Sequence, residues 1–207
     1  MDGGISEIER ERLRRTRVYT LPNLITSCRI LSSPLLGLAI AYDLKEVAIA
    51  GCVAAAVSDF LDGYIARRFH QQSHLGAILD PLADKLVIGA LTVSLTYKGM
   101  IPFDLCALIL SRDALLIIGS FYARYASLPP GVKYFDFSHS SMFVVKPSVI
   151  SRGNTFIQFT LLFASLSCYI YDPQLVEYLE PLWYVTAGST LVSGMGYLTH
   201  SGLKFRK

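Results

Sequence analysis

Four aspartates occur in two short motifs whose spacing could do chemistry. The stretch SDFLDGYIARR, residues 58–68, places Asp59 and Asp62 three positions apart, and LDPLADK, residues 79–85, places Asp80 and Asp84 four positions apart. Residues three or four apart share one face of a helix, so each motif presents two carboxylates on one side. Because both motifs adjoin apolar runs, where an unpaired charge is costly, the pairs are expected to be neutralised by a partner.

Two kinds of partner could neutralise these acids. Hard carboxylate oxygens suit Mg²⁺, Mn²⁺ or Ca²⁺, and two facing pairs could hold two ions about 3.5–4 Å apart, a separation used in phosphoryl transfer. Basic side chains are the alternative, since Arg67, Arg68 and Lys85 lie close in the sequence. The two arginines lie at a predicted helix end, however, from which long side chains can reach water.

Small residues accompany the acids. Gly63 follows Asp62, Ala66 lies one turn later, and Gly76 precedes Asp80. Glycine and alanine let a neighbouring helix or a ligand approach closely. Each glycine alone is more often a simple helix-packing residue, but the combined spacing favours a crowded site.

The composition predicts that these motifs belong to an integral membrane protein. Hydrophobic residues make up 52% of the 207 residues, charged residues only 17%, and the mean hydropathy is +0.43. The net charge of +3 gives no indication of nucleic-acid binding. A membrane-spanning helix needs about 20 apolar residues, and six such runs occur, at 22–42, 46–66, 80–98, 104–125, 151–171 and 181–200.

The predicted fold is therefore an all-α membrane protein with six transmembrane helices. We expect one domain over residues 1–207, with the six-helix bundle at 22–200 and an interfacial segment at 1–20. Within that segment, ISEIERERLRRTRV could form a short interfacial helix, and a solvated charged tail is the alternative. No secretory signal is predicted, because the segment lacks an apolar h-region. The four cysteines lie in apolar runs and are predicted to be buried small residues.

The distribution of basic residues predicts the orientation. With six spans, Lys45 and Lys98 would be the only basic residues in the loops on one side of the membrane. Basic residues concentrate on the cytoplasm-like side of membrane proteins, which in a mitochondrion is the matrix, so both termini and the acidic motifs are expected there. The basic residues on that predicted side are Arg10, Arg12, Arg14, Arg15, Arg17, Arg67, Arg68, Lys133, Lys146, Lys204, Arg206 and Lys207.

The complete motif resembles a known family signature. From Asp59 to Asp84 the chain follows D-x2-D-G-x2-A-R-x8-G-x3-D-x3-D, which is similar at every defined position to the signature of the CDP-alcohol phosphatidyltransferases. The flanking stretches TLPNLITSCRI, LGAILDPLADK, SLTYKGMIP and SRDALLI resemble the eukaryotic-type cardiolipin synthases of that family. They resemble the related phosphatidylglycerophosphate synthases slightly less.

The resemblance implies an activity and a metal site. Members of the family transfer the phosphatidyl group of CDP-diacylglycerol to an alcohol and release CMP. The implied cofactors are two divalent cations, Mg²⁺ or Mn²⁺, with Co²⁺ as a further candidate. Asp59, Asp62 and Asp80 would hold the ions, and Asp84, also counted in the metal set, would be the general base. The implied acceptor is phosphatidylglycerol, giving cardiolipin, and the alternative is glycerol 3-phosphate.

The resemblance also implies binding residues for the donor. Asn23, Thr26 and Arg29 form PN-x2-T-x2-R and would line the CDP-diacylglycerol site. Further candidate donor contacts are Gly63, Ala66, Arg67 and Gly76. Arg29 is an arginine inside an apolar run, which marks a candidate functional residue, and pairing with an acid between helices is its alternative role.

Three basic residues are the candidates for binding the acceptor phosphate, namely Arg112, Lys146 and Arg152. Arg suits a phosphodiester group. For Arg112, simple neutralisation of the adjacent Asp113 is an equal alternative. Both lipid substrates would enter laterally from the membrane, so a long hydrophobic opening is expected beside the acidic cluster.

The remaining predictions concern assembly, location and a rival class. The resemblance implies a homodimer in the mitochondrial inner membrane, with the active site on the matrix side. The last span, GSTLVSGMGYLTHSG, could pack against a second subunit or within one chain. A divalent-cation transporter is the rival from another class, because carboxylates within membrane helices also mark ion pathways. It would distribute acids across the membrane depth, whereas these four are expected at one side.

Overall fold

A computed structural model describes residues 20–68, 76–126 and 149–200. These ranges form six long α-helices and one 3₁₀ helix, and they contain no strand, so the predicted all-α class is confirmed. The interfacial segment predicted before Thr20 lies outside the described residues, as does Lys146. The long helices are α1 (Leu21–Ala41), α2 (Lys45–Arg68), α3 (Gly76–Tyr97), α4 (Phe103–Ala126), α5 (Val149–Tyr171) and α6 (Glu180–His200), with the 3₁₀ helix Pro173–Leu179 between α5 and α6.

Each predicted apolar run coincides with one of these helices. The largest difference is at α3, which begins at Gly76 and not at Asp80. The start predicted from the apolar run is too late by four residues. A helix begins where its backbone hydrogen bonds begin, whatever the polarity of its first turn. Asp80 consequently lies a full turn inside α3, one turn before Asp84 on the same face.

Local chemistry explains how α1 begins and continues. The Thr20 hydroxyl caps the helix by accepting a hydrogen bond from the backbone N–H of Asn23 at 3.4 Å. Pro34 lies inside α1 and has no N–H to donate to the carbonyl one turn earlier. That carbonyl belongs to Ile30, and it accepts a hydrogen bond from the Ser33 hydroxyl at 2.9 Å. The helix therefore passes through Pro34 without leaving this carbonyl unsatisfied.

The surface of the bundle is apolar. Large hydrophobic side chains on several helices are exposed, for example Leu31 at 72% and Phe163 at 75%. Within the described part of the chain, three helical segments are long and apolar enough to cross a membrane: Leu21–Ala41, Lys45–Ile65 and Phe103–Tyr122. An extensive apolar surface of this kind indicates a membrane environment.

The first three long helices position the acidic motifs. Helix α1 packs along both α2 and α3. A Cβ added to Gly37 on α1 would lie 3.4 Å from the carbonyl oxygen of Ala90 on α3. Helix α1 thus packs against the backbone of α3 at Gly37. This packing places the polar residues of α1 next to the acids of α2 and α3.

The end of the bundle away from the acidic motifs is held by a polar cluster over an apolar core. The Tyr169 hydroxyl lies 2.9 Å from Asp43 Oδ1 and 3.1 Å from the Ile40 carbonyl, and it donates to one of them at a time. Lys98 Nζ lies 2.7 Å from Asp43 Oδ2. Hydrogen bonds from Lys98 and then from Tyr169 lower the pKa of Asp43 from its ordinary value of 3.8.

The Asp43→Asn substitution should lower the melting temperature in detergent at pH 7. A lowered pKa in the folded state means that the carboxylate stabilises the fold above its ordinary pKa of 3.8, and that this contribution is lost as the pH falls through the lower folded value. The melting temperatures of Asp43→Asn and the wild type should therefore converge below about pH 4. Glu177→Gln, at an exposed position of the 3₁₀ helix, is the control. A difference that persists unchanged at low pH would contradict the role of the charge.

Candidate active site

One buried arginine contacts three of the four predicted acids. Arg29 on α1 is 3% exposed. Its Nη1 donates to Asp59 Oδ1 at 2.5 Å, and its Nη2 donates to Asp62 Oδ2 at 3.1 Å. The same Nη2 lies 3.7 Å from Asp84 Oδ1 on α3. The alternative predicted for Arg29, pairing with an acid between helices, is present, and the paired acids are those of the candidate site itself.

A threonine connects the fourth acid to the cluster. Thr26 lies one turn before Arg29 and is fully buried. Its hydroxyl is 2.9 Å from Asp80 Oδ1, 3.0 Å from Asp62 Oδ2 and 3.1 Å from the carbonyl of Pro22. A hydroxyl has one hydrogen, so it donates to one of these oxygens at a time. Thr26 and Arg29 together thus gather all four predicted aspartates between α1, α2 and α3.

The cluster has a buried floor and an open mouth. The Asp62 side chain is only 6% exposed, whereas the side chains of Asp59 and Asp84 are 57% and 46% exposed. Asp80 is also exposed. A ligand approaching from outside would therefore meet three carboxylates before it reached the floor formed by Asp62, Thr26 and Arg29.

The charges of the cluster do not balance. Four carboxylates against one guanidinium leave a formal charge of −3 (four negative and one positive). The nearby Lys85 is directed to another partner, because its Nζ donates to Asp113 Oδ1 at 2.9 Å. Excess negative charge on hard oxygen ligands is the chemistry that divalent cations such as Mg²⁺ neutralise. The donor set therefore fits a divalent cation by charge and by ligand type.

The arrangement of the acids is centred on Arg29. Among the described residues, no group of three or more His, Cys, Asp or Glu side chains is arranged as it stands to hold a metal ion. The Arg29 guanidinium lies between Asp59, Asp62 and Asp84, where it supplies the positive charge in this arrangement. Binding of a cation by these carboxylates would thus require Arg29 to give up some of its contacts.

The other predicted donor-binding residues lie around this cluster. Asn23 is buried one turn before Thr26, so Asn23, Thr26 and Arg29 share a face of α1. Gly63 adjoins Asp62, and Gly76 is buried at the start of α3. The backbone of Ala66 and Arg67 lies in α2, but their side chains are outside the described part of the structure. The contact of the Arg67 side chain with the site stays a prediction.

A second charged cluster lies beside the first. Arg112 on α4 is 4% exposed, and its Nη1 donates to Asp113 Oδ1 at 2.7 Å. Its Nη2 donates to Ser151 Oγ on α5 at 2.7 Å and to Ser193 Oγ on α6 at 2.8 Å. Because Lys85 of α3 shares the same Asp113 oxygen, this cluster ties four helices together.

The three predicted acceptor-binding residues differ in where they lie. Arg112 does pair with Asp113, as the alternative prediction required. Arg152, next to Ser151, is exposed at the start of α5. Lys146 lies outside the described residues. Phosphate binding by these three residues stays a prediction.

Sequence reasoning did not identify the hydroxyl and amide groups that hold this region. Besides Ser151 and Ser193, these include Asn154, whose Oδ1 accepts hydrogen bonds from Ser189 at 2.8 Å and Thr190 at 3.1 Å. The available signal was the spacing of Ser189 and Ser193, four apart on one face of an apolar helix. That spacing indicates a polar face but does not reveal which helix supplies the partner.

An apolar cavity adjoins the second cluster. Helices α1, α3 and α4 line a cavity of about 940 Å³, and its lining includes Lys85 and Asp113. Two of its lining residues are immediate neighbours of site residues, Ile30 after Arg29 and Lys85 after Asp84. The cavity therefore lies along two of the helices that carry the site, α1 and α3.

Comparison with known proteins agrees with the signature. The family model for CDP-alcohol phosphatidyltransferases matches residues 19–191. A Rattus norvegicus protein named cardiolipin synthase (CMP-forming) is 41% identical over 190 residues, which cover 90% of this chain and 62% of that protein. A Schizosaccharomyces pombe protein, named as a fusion of cardiolipin synthase (CMP-forming) with a mitochondrial hydrolase, is 38% identical over 90% of this chain and 32% of its own length.

A relative with a different name also matches. The chloroplastic CDP-diacylglycerol–glycerol-3-phosphate 3-phosphatidyltransferase 1 of Oryza sativa subsp. japonica is 34% identical over 93% of this chain and 59% of its own length. The present chain thus spans less than two thirds of the length of each of these three relatives.

The Arg29→Gln substitution should destabilise the fold most strongly when divalent cations are chelated. Removing the guanidinium leaves Asp62 buried with its negative charge uncompensated, and we expect a loss of about 2 kcal/mol, less than for a fully buried pair because Asp59 and Asp84 reach solvent. Added Mn²⁺ should raise the melting temperature of Arg29→Gln more than that of the wild type. Arg68→Gln, at an exposed position of α2, is the control. Equal Mn²⁺ responses in Arg29→Gln and the wild type would contradict the competition between Arg29 and a cation.

Proposed function

The chain belongs to the CDP-alcohol phosphatidyltransferase family, and from that premise we propose that it makes cardiolipin from CDP-diacylglycerol and phosphatidylglycerol, with release of CMP. The observation that carries the proposal is the convergence of all four signature aspartates on Thr26 and Arg29. The relatives named cardiolipin synthase support the choice of product.

The proposed reaction needs one proton acceptor among the acids. Asp84 is half-exposed at the mouth of the cluster, where it could accept the proton from a terminal hydroxyl of phosphatidylglycerol. The hydroxyl oxygen then forms a bond to the phosphorus that carries the diacylglycerol, and the bond from that phosphorus to the CMP oxygen breaks. CMP leaves with the bonding electron pair, and no covalent bond to the enzyme is required.

The other acids would hold cofactors. The family is generally dependent on divalent metals. Asp59, Asp62 and Asp80, with Asp84 completing the set, would hold two divalent cations, Mg²⁺ or Mn²⁺ with Co²⁺ as a further candidate, which would supply screening of the phosphate charges. The buried Asp62 anchors this set to α1 through Thr26 and Arg29.

The polar face of α1 would bind the donor. Asn23, Thr26 and Arg29 lie along one face beside the acids, and Arg29 carries a guanidinium that suits phosphate oxygens. In the proposed complex Arg29 exchanges some of its carboxylate contacts for the donor phosphates. Gly63, Ala66, Arg67 and Gly76 would complete the donor site, whereas Arg112, Lys146 and Arg152 would lie toward the acceptor phosphate.

The proposed setting is the mitochondrial inner membrane, with six spanning helices and the acids on the matrix side. The apolar side chains exposed on the bundle support membrane insertion. The basic residues predicted on the side of the acids support the orientation. A homodimer is part of this proposal and follows from the family resemblance.

A second candidate is phosphatidylglycerophosphate synthesis from glycerol 3-phosphate. The name of the rice relative favours it. That acceptor is a small dianion and needs a compact basic pocket, whereas phosphatidylglycerol needs room for two additional acyl chains. The apolar cavity next to Lys85 favours the lipid acceptor.

The identity of the lipid product tests the proposal directly. Purified protein supplied with CDP-diacylglycerol and Mn²⁺ should form cardiolipin and CMP when phosphatidylglycerol is added. Thin-layer chromatography and mass spectrometry identify the product, with glycerol 3-phosphate in a parallel reaction. Formation of phosphatidylglycerophosphate without cardiolipin would exclude our choice of acceptor. Metal flux into liposomes without CMP release would instead support the transporter alternative.

The Asp84→Asn substitution should reduce kcat by about 10²–10⁴-fold, because an amide cannot accept the hydroxyl proton as a base. Mn²⁺ binding, followed by titration calorimetry, should be largely retained, since three carboxylates of the set remain. Asp104→Asn, at an exposed position in the first turn of α4, is the matched control and should keep wild-type turnover. Unchanged turnover in Asp84→Asn would refute the role of base.

A further inference from the structure

The apolar cavity has the length of one acyl chain. Along α3 its lining extends from Lys85 to Tyr97, and along α1 from Ile30 to Ala41. Twelve residues of helix correspond to about 18 Å. The hydrocarbon core of a bilayer is about 30 Å thick, so the chains of one leaflet extend over about 15 Å. A single chain that enters at Lys85 would thus reach the end near Tyr97.

The serine side chains in the wall of the cavity offer no free hydroxyl hydrogen to its interior. Its two serines use their hydroxyl hydrogens on their own helices: Ser33 donates to the Ile30 carbonyl at 2.9 Å, and Ser94 donates to the Ala90 carbonyl at 2.7 Å. Small side chains keep the space wide, since Gly37, Gly89, Ala90 and Ala114 all line it.

The cavity is accessible from the outer surface of the bundle. Leu86 and Val93, which line it on α3, are 41% and 51% exposed. A hydrocarbon chain could therefore enter sideways between α1, α3 and α4 without crossing a polar barrier.

One end of the cavity carries charge of the appropriate sign. Lys85 and Asp113 line this end, and Arg112 binds the same oxygen of Asp113 as Lys85 does. Two positive charges against one negative leave a formal +1, which suits the single negative charge of a phosphodiester. The head group of an anionic phospholipid would thus meet a cationic cluster where its chain enters the cavity.

We propose that this cavity holds one acyl chain of the acceptor phospholipid during the reaction. The proposal rests on the function proposed above and names the part of the enzyme that recognises a lipid acceptor. The charged end adjoins Asp84, and the base must contact the acceptor hydroxyl, so the lipid with its head group there is the acceptor. The donor has its nucleotide on the other side of the acids, along Asn23, Thr26 and Arg29. Glycerol 3-phosphate has no chain to place in the cavity.

Filling the cavity tests the proposal kinetically. Ala41→Phe adds a ring at the end of the cavity away from Lys85, and Ala107→Phe adds the same ring at an exposed position of α4 that does not line the cavity. With long-chain phosphatidylglycerol, Ala41→Phe should raise the KM for the acceptor about tenfold. The effect is moderate because the chain leaves lipid, not water, when it enters, so only packing contacts are lost. The KM for dihexanoyl phosphatidylglycerol and the KM for CDP-diacylglycerol should change less than about twofold.

Two kinetic outcomes would overturn the proposal. A rise in the KM for CDP-diacylglycerol alone would assign the cavity to the donor chain. Equal KM values for both substrates in Ala41→Phe and Ala107→Phe would show that neither substrate uses it. Thermal melting of both variants checks that they are folded.

Photo-crosslinking of the wild-type protein gives a readout that does not depend on turnover or on a variant. Phosphatidylglycerol with a diazirine at the end of one acyl chain should label peptides around Leu38, Val93 and Tyr97, which line the far part of the cavity. Excess phosphatidylglycerol should reduce the labelling, and CDP-diacylglycerol should not. If the enzyme makes cardiolipin but the label lies on α5 or α6, the cavity proposal alone fails. If the enzyme makes only phosphatidylglycerophosphate, the proposed function fails.

Discussion

The requirement to neutralise four carboxylates beside an apolar bundle determines how the first three long helices fit together. Carboxylates that are partly removed from water need a positive or hydrogen-bonding partner, and leaving one of them buried alone would cost several kcal/mol. Arg29 and Thr26 provide these partners from one face of α1. The same helix packs against the backbone of α3 at Gly37. Helix α1 therefore supplies both a close packing contact with α3 and the partners of the acids.

Helix α3 separates two oppositely charged regions. Its consecutive residues Asp84 and Lys85 belong to different clusters, the first beside Arg29 and the second on Asp113. Successive residues on a helix point about 100° apart, so one helix can present an acid to one neighbour and a base to another. The excess charge is −3 in the acidic cluster and +1 in the basic one. In the proposed reaction, two divalent cations would change the charge of the acidic cluster from −3 to +1, so that both anionic substrates would meet positive charge.

The sequence allowed the helices and the acidic face to be predicted, because both depend on local periodicity. Apolar runs of about 20 residues located all six long helices in the described ranges, and spacings of three and four placed the paired acids correctly. The bridge from Thr26 to Asp62 and Asp80 was not predicted, since it joins residues from three helices. The two serines on Arg112 were missed for the same reason. Such contacts depend on how helices pack, and side-chain types and spacing along one helix carry little information about that.

The position of Thr26 has a consequence for how easily the site can reorganise. Its hydroxyl has a single hydrogen and three oxygens within reach, from Pro22, Asp62 and Asp80. If the carboxylate of Asp62 or Asp80 turns toward a new partner, the Thr26 hydroxyl can rotate and donate its hydrogen bond to one of the remaining oxygens. No buried donor is then left unsatisfied. An unsatisfied buried donor would cost about 1–3 kcal/mol. The arrangement around Thr26 avoids that cost both when a carboxylate leaves and when it returns. The acids can thus exchange partners repeatedly while the floor of the site keeps its hydrogen bond.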